Sequence, residues 1–316
     1  EAPADHEQQL VARHFGDPVV LIPQGFEADL ARNALRGVHV VARGRDAAIL
    51  GPDTRLEQAQ LAATLDGPLR SLSVDHRFTA ARIAFGGFAA SNVVQQGRLM
   101  RTDKSWSFPL NLTTGRIVTG NAMVDPRLTS SRARGTIVLD GTRLSSHDLV
   151  VGAPGLGASL TLAGDTARGE YRLTGPVAAR DVALANLGLA NADLQLDARF
   201  GRQPWLVDAA VRGRMTEVRN ATLTTLAGNG IRFGGGVRVG GAQPLLFQRF
   251  AIDGSKLAVV LSGRSQPGGV TTLSGTGKHV QYGRFTLQAS VEKDGPHAVL
   301  VLANPLPAAG LRDVRV

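Results

Sequence analysis

The chain has 316 residues, of which 43% are hydrophobic, and a formal net charge of +9 at pH 7. This composition supports a sizeable folded core and excludes an intrinsically disordered chain. The absence of cysteine excludes a disulfide framework and a zinc site with cysteine ligands. No stretch of the sequence approaches the roughly 20 consecutive apolar residues that a transmembrane helix needs.

Residues 1–60 are predicted to form a cap region with one or two short helices. Asp5 can cap a helix that continues to about His14, and Gln8 follows at the position that a capping box requires. The signals for a second helix are apolar residues at a four-residue spacing, Phe26, Leu30 and Ala34. Such helices would cover the end of a sheet and protect its edge.

Residues 61–316 are predicted to form an elongated β domain, because apolar and polar residues alternate with a period of two. Side chains alternate across a strand, so each such segment has one apolar and one polar face. One face of a strand near the middle of the chain would carry Ala192, Leu194, Leu196, Ala198 and Phe200. The opposite face would carry Asp193, Gln195, Asp197 and Arg199.

Turn chemistry separates the alternating segments. Strong hairpin signals occur at Asp66-Gly67, Asp140-Gly141, Asn229-Gly230, Asp253-Gly254 and Asp294-Gly295. Three consecutive glycines, residues 234–236, interrupt a strand pattern and indicate a bulge or bend. These signals predict a mostly-β fold: a long, curled antiparallel sheet with a taco-like groove. A closed sandwich stays open as the alternative, because the period of two does not distinguish them.

The sequence contains no recognisable catalytic motif. The segment from Gly152 to Gly157 has the reverse of the dinucleotide-binding spacing and precedes strand-like residues, so it predicts a turn. The seven histidines show neither an HExxH motif nor an H-x-x-x-H spacing. We therefore expect no enzyme, no cofactor and no metal. A polysaccharide-active enzyme with two facing carboxylates is a weaker hypothesis.

The basic residues are dispersed along the chain. There are 31 arginines and four lysines, and many arginines occupy the polar positions of separate predicted strands. A nucleic-acid site would gather basic residues and interleave aromatic ones, so we expect no nucleic-acid partner. Attraction to anionic lipid headgroups fits this charge better than nucleic acid does, and a solvated basic face is the favoured interpretation.

Two segments, 134–164 and 183–197, resemble those of a known family. Both contain a Leu-x-Leu strand pattern, and the first also contains the Asp140-Gly141 turn. They resemble the AsmA-like proteins of Gram-negative bacteria, the group that includes TamB, YhdP and YdbH, and the YdbH type of alphaproteobacteria most of all. The resemblance covers roughly residues 60–316. It implies a sheet with a hydrophobic groove, anchored in the inner membrane, that carries phospholipid across the periplasm without catalytic residues.

The resemblance and the alternation together predict a lipid conduit. The residues expected to line its groove are Leu160, Leu162, Leu194, Leu196, Phe200, Ile231, Phe233, Phe285 and Leu287. The expected partners are phospholipid, the inner and outer membranes or their proteins, and an anchor segment of a longer parent chain. The chain starts at Glu1, not Met, which suggests a mature chain or an excised piece. The alternative is a structural or adhesive surface scaffold with a closed sandwich core.

Overall fold

The structure is a computed structural model with strands throughout and a single α-helix in the residues that it describes. The described residues are 10–14, 17–23, 27–29, 33–44, 54–85, 88–119, 125–184, 186–201, 205–240, 245–265, 270–292, 295–303 and 314–315.

The strands follow one another along the chain with short connections. They are β1 (Leu10–His14), β2 (Asp17–Pro23), β3 (Glu27–Asp29), β4 (Ala34–Gly44), β5 (Thr54–Glu57), β6 (Ala59–Pro68), β7 (Ser73–Phe85), β8 (Phe88–Arg101), β9 (Ser105–Val118), β10 (Thr129–Asp140), β11 (Arg143–Ala153), β12 (Leu156–Asp165), β13 (Glu170–Leu184), β14 (Gly188–Gly201), β15 (Leu206–Val218), β16 (Arg232–Gly240), β17 (Leu245–Asp253), β18 (Leu257–Ser265), β19 (Thr271–His279), β20 (Gly283–Glu292), β21 (Gly295–Leu302) and β22 (Val314–Arg315). The helix α1 is Ala221–Ala227. Two 3₁₀ turns occupy Leu69–Ser71 and Asp125–Arg127.

The mostly-β, antiparallel fold class is confirmed, but the predicted N-terminal helices are wrong where the structure describes them. Leu10–His14 is a strand that pairs with β2, and β2 pairs in turn with β4. Glu27–Asp29 is a strand that also pairs with β4. A lone helix of this length is marginal in water, whereas the edge of β4 offers backbone partners that local capping signals do not reveal. Asp5 and Gln8 lie outside the described residues.

The chain divides into two compact units. The first comprises residues 1–154 and 159–167, and the second comprises residues 155–158 and 168–316. The sequence placed its boundary near residue 60, where β5 and β6 both pair with β7 within the first unit. Strands lie on both sides of the observed boundary between residues 154 and 168, so no change of secondary structure marks it.

The first unit is built around antiparallel ladders between β1 and β11. Strands β2 and β3 share one edge of β4, and β6 pairs with the other edge. From β6 onward the strands pair in chain order through β7, β8, β9 and β10 to β11. A small core forms where Leu56, Ala59, Ala80 and Val93 are buried together.

The side chain of Gln95 supplies hydrogen bonds between β8 and β9 at Pro109, which has no backbone N–H to donate. The Gln95 amide nitrogen donates to the carbonyl of Pro109 at 3.0 Å, and its oxygen accepts the N–H of Asn111 at 3.0 Å. Gln95 thereby replaces main-chain hydrogen bonds that a proline in a central strand removes. This explains why a glutamine is buried on an otherwise apolar face.

The second unit is a meander in which each strand from β13 to β22 pairs with the next. The predicted bulge is confirmed, since the register between β16 and β17 shifts between Gly234 and Gly236. A second bulge lies between β13 and β14, where the Asn191 side chain accepts the backbone N–H of Asp181 at 2.8 Å. Bulges of this kind bend a strand and increase its twist.

The turn predictions hold in part. Gly141 lies in the β10–β11 turn, Gly155 in the β11–β12 turn and Gly254 in the β17–β18 turn, as expected. Asp66-Gly67, by contrast, belongs to β6, and the 3₁₀ turn that follows β6 makes the connection. Asn229-Gly230 connects α1 to β16 and is therefore not a hairpin turn. Asp294 lies outside the described residues.

Candidate functional site: the apolar face of the second unit

Register places the alternating apolar residues of the second unit on one face, here called the apolar face. The side chains of paired residues on neighbouring strands lie on the same face of the sheet, so a series of successive partners forms a row across the strands. One such row crosses nine strands: Ala179, Ala192, Gly213, Phe233, Ile252, Val259, Gly277, Phe285 and Leu302. Every member of this row is apolar.

Glycines on the apolar face lie beneath large side chains of the neighbouring strand. A Cβ atom on Gly213 would collide with the ring of Phe233, and one on Gly277 would collide with the ring of Phe285. Leucine side chains cover Gly263 and Gly275 in the same way. At these four glycines a ring or a leucine side chain of the neighbouring strand occupies the space that a Cβ atom would need.

Most of the apolar face is half-buried, and one end of it is covered. Val177, Leu194, Val211, Leu261 and Leu287 are all partly exposed to solvent. A closed sandwich would bury such inner residues fully. Among the elements that the structure describes in this unit, α1 alone is placed over the face by hydrogen bonding, and it covers one end.

A histidine fastens α1 over that end. His279 lies on the apolar face, where only 6% of it is exposed, and its Nε2 donates to the carbonyl of Leu226 at 3.1 Å. Its Nδ1 accepts the backbone N–H of Gln281 at 3.1 Å, and its ring stacks on Tyr282. At this end Ala190 and Ile231 are each only 2% exposed.

Seven of the nine predicted groove residues share the apolar face. They are Leu194, Leu196 and Phe200 of β14, Ile231 and Phe233 at the start of β16, and Phe285 and Leu287 of β20. Leu160 and Leu162 lie in the part of β12 that belongs to the first unit, and both are buried.

The opposite face of the second unit, the polar face, carries a network of ion pairs between neighbouring strands. Arg238 donates to Asp208 at 2.6 Å, and Arg232 donates to Asp253 at 2.6 Å. Arg180 donates to Asp193 at 2.6 Å. The dispersed arginines of the sequence are therefore partly explained as cross-strand pairs on this face.

The carboxylate of Asp197 accepts hydrogen bonds from two arginines of this network. Arg172 donates to its two oxygens at 2.8 and 2.7 Å, and Arg199 donates at 3.1 Å. Mainly because of the Arg172 hydrogen bonds, the pKa of Asp197 falls from its ordinary value of 3.8 to about 2. An arginine that donates two hydrogen bonds to a carboxylate stabilises its ionised form.

Asp197→Asn is expected to lower the free energy of unfolding by about 1 kcal/mol at pH 7, since the exposed arginines weaken the pair. The contribution of a carboxylate with a lowered pKa is complete above pH 3.8 and disappears as the pH falls towards 2. Urea unfolding between pH 7 and pH 3 should therefore show a difference that shrinks below pH 4. A difference independent of pH would contradict this assignment. The matched control is Asp193→Asn, because 72% of that side chain is exposed.

Three open concavities have polar or charged side chains in their linings, which sequence reasoning did not anticipate. One, of about 560 Å³, is lined by Arg264, Thr272, Ser274 and Gln288 of the second unit. Another, of about 640 Å³, is lined by Lys278 and Arg284, by apolar neighbours such as Val260 and Val301, and by residues of the apolar row that include Phe285. The third, of about 620 Å³, lies on the polar face of the first unit beside Arg98. In the second unit, register places Arg264, Lys278 and Arg284 on the face opposite the side chains of Phe285 and Leu287.

Within the described part of the chain, no group of three or more metal-ligating side chains comes together. No helix in the same residues has the length and apolar character needed to cross a membrane.

Asp148 accepts hydrogen bonds from the N–H of Thr136 at 2.7 Å and from the hydroxyl of Ser146 at 3.2 Å. These hydrogen bonds give Asp148 a structural role at the β10–β11 bulge, and this role does not require His147 as a partner.

Sequence reasoning missed α1 and the histidine that holds it. The available signal was the pair of capping residues: the Asn220 side chain accepts the N–H of Leu223 at 2.9 Å, and Gly228 ends the helix with a φ of 74°. Asparagine and glycine are favoured at these two positions. Nothing in the sequence indicated that His279, 53 residues away from Leu226, would bond the helix.

Comparison of the chain with models of known protein families, with curated proteins and with solved structures finds no match. The geometry of the apolar face and the resemblance of segments 134–164 and 183–197 are the observations that bear on function.

Proposed function

We propose that this chain is a segment of a periplasmic β-groove protein that holds phospholipid acyl chains on the apolar face of the second unit. In this proposal the protein carries lipid passively between the inner and outer membranes. The observation that supports it is the apolar row across nine strands, from Ala179 to Leu302, of which six members are partly exposed. The periplasmic setting and the two membranes come from the resemblance to AsmA-like proteins.

The chemistry of the face favours hydrocarbon over a protein partner. Protein interfaces contain about one hydrogen bond per 100–200 Å². The central rows of the apolar face, including those through Ala192 and Leu194, offer no side chain that could donate or accept one. The polar side chains Ser265 and Thr271 lie together in one row at the uncovered end. An occupant of the central rows must therefore need no hydrogen bonds, as an acyl chain does not.

The dimensions of the face also suit acyl chains. Neighbouring strands lie about 4.8 Å apart, so nine strands form a row of roughly 38 Å. This exceeds the roughly 30 Å hydrocarbon core of an entire bilayer. An acyl chain could therefore lie across several strands and move along the row without leaving apolar contact. Each methylene that leaves water contributes about 0.8 kcal/mol.

Transfer in this proposal requires no catalytic group. The acyl chains contact aliphatic and aromatic side chains, and the headgroup stays in water. Since the row changes little in polarity from one strand to the next, no position traps the lipid strongly. Net movement then follows the difference in lipid chemical potential between the two ends, and the protein supplies only the path.

Phospholipid is expected to co-purify with the full chain when it is expressed in a Gram-negative host and purified without detergent. Mass spectrometry of an organic extract, with a phosphate assay, should find at least one phospholipid per chain. A bacterial β protein of similar size, purified in parallel, provides the control for carry-over. A lipid-free protein whose apolar face is covered in a dimer would instead favour the scaffold alternative.

A further inference from the structure

The turns at one end of the second unit form a continuous edge, here called the α1 edge. It comprises the β13–β14 turn, α1 with its following loop, the β17–β18 turn and the β19–β20 turn. Because successive strands are antiparallel, alternate connections lie at the same end of the sheet. Backbone hydrogen bonds tie the turns together, since Lys256 donates to the carbonyl of Ala227 at 3.0 Å and Val280 donates to that of Lys256 at 2.9 Å.

Each of three connections at this edge exposes a large aliphatic side chain. The exposed fractions are 39% for Leu187, 44% for Leu226 and 70% for Val280. A single exposed aliphatic residue is ordinary on a protein surface. Three of them on connections of the same edge, with Val280 the most exposed, form a set of apolar side chains here called the apolar tips.

The surroundings of these tips are basic. Lys256, Lys278 and Arg284 are exposed, and none of them has a carboxylate partner among the described residues. The nearby acids are neutralised instead: Glu217 pairs with Arg219 at 2.8 Å, and Asp253 pairs with Arg232 at 2.6 Å.

Asp181 is a further acid on this side of the unit. It lies three residues before the end of β13, at the bulge, and its backbone N–H bonds Asn191. Cations therefore predominate close to the apolar tips.

We propose that the α1 edge docks on an anionic bilayer surface. Apolar tips within a basic surface enter the boundary between headgroups and acyl chains, while the cations contact lipid phosphates. The proposal goes beyond lipid binding by the apolar face, because it concerns a different surface of the second unit. It also gives α1 a second role, since the helix that covers one end of the apolar face would lie at the membrane.

The test is flotation of the full chain with vesicles of phosphatidylcholine that contain 30% phosphatidylglycerol, or none. The wild-type protein should bind the anionic vesicles at least tenfold more tightly than the neutral ones, since each basic residue near such a surface contributes about fivefold. Lys278→Glu should weaken binding about tenfold or more.

Two matched variants control for general effects of charge and hydrophobicity. Arg264→Glu makes the same kind of charge change on the polar face, but roughly 20 Å from Lys278 along the strands, beyond the Debye length of about 8 Å. Trp205→Ser removes a residue that is 45% exposed near the opposite end of the unit. Binding should weaken several-fold with Val280→Ser and less than twofold with either control.

The proposal is overturned if the wild-type chain fails to bind, or binds neutral and anionic vesicles equally. It is also overturned if Arg264→Glu weakens binding as much as Lys278→Glu, because the charge effect would then not be local. The substituted side chains are exposed, so circular dichroism should show intact folding. A variant that loses co-purified lipid but still floats with anionic vesicles would separate a failure of the proposed lipid binding from a failure of this docking.

Discussion

Replacing Leu194 or Leu196 by glutamate is expected to reduce the phospholipid bound per chain at least tenfold. Both side chains lie half-buried on the apolar face, in rows that contact any acyl chain placed there. A carboxylate on this path would lose its water when lipid binds, and burial of an unpaired charge costs several kcal/mol. A tenfold loss corresponds to only about 1.4 kcal/mol, so the effect should be large.

The control is Gln195→Glu, which introduces the same carboxylate on the same strand. Gln195 lies between the two leucines and points to the polar face, where it pairs with Ala210 of β15. Its substitution should leave bound lipid within twofold of the wild type, as measured by mass spectrometry and phosphate assay. Equal losses at positions 194 and 195 would mean that the face does not determine binding. Circular dichroism of all three variants distinguishes lost binding from lost folding.

Gly235→Ala is expected to destabilise the second unit by about 2–3 kcal/mol, in the range of overpacked core substitutions. A Cβ atom at this position would lie 2.6 Å from the Cα of Phe250 and 2.9 Å from the carbonyl oxygen of Arg249. Both are backbone atoms of β17 at the bulge, and they cannot retreat without breaking the ladder with β16. The glycine is therefore required by the close approach of two backbones.

Gly236→Ala provides the matched control one residue further on. There a Cβ atom would lie 3.4 Å from the Cβ of Gln248, which is an ordinary contact. The change in the free energy of unfolding should stay within about 0.5 kcal/mol. Trp106 belongs to the first unit and Trp205 to the second, so a Trp106→Phe background lets urea unfolding followed by fluorescence report on the second unit alone. Equal effects of the two alanines would contradict the proposed backbone collision.

Much of the apolar face could be predicted because the alternation of side chains is a local property. The pattern from Ala192 to Phe200 assigned each residue of β14 to its face, and the register confirms these assignments. The bulge at Gly234–Gly236 was predictable for the same reason, since consecutive glycines weaken a regular strand.

The N-terminal helices illustrate where local signals are insufficient. A helix that begins at Asp5 satisfies capping rules, but the residues from Leu10 onward pair with β2 in the structure. The competing state depends on β4, which begins more than twenty residues later. Pairing with a distant strand supplies backbone hydrogen bonds that outweigh a modest helix preference.

The sequence by itself determined the fold class, the face on which each residue of a regular strand lies, and the excess of positive charge. These follow from the period of two along a strand and from composition, which depend on neighbours in the chain. Only the tertiary structure decided that Ala179 and Leu302 belong to one row, and that α1 covers one end of the face through His279. It also decided that Leu160 and Leu162 belong to a different unit from the other predicted groove residues. Those features depend on contacts between residues far apart in the chain, and no local pattern encodes which partner a strand or a helix will meet.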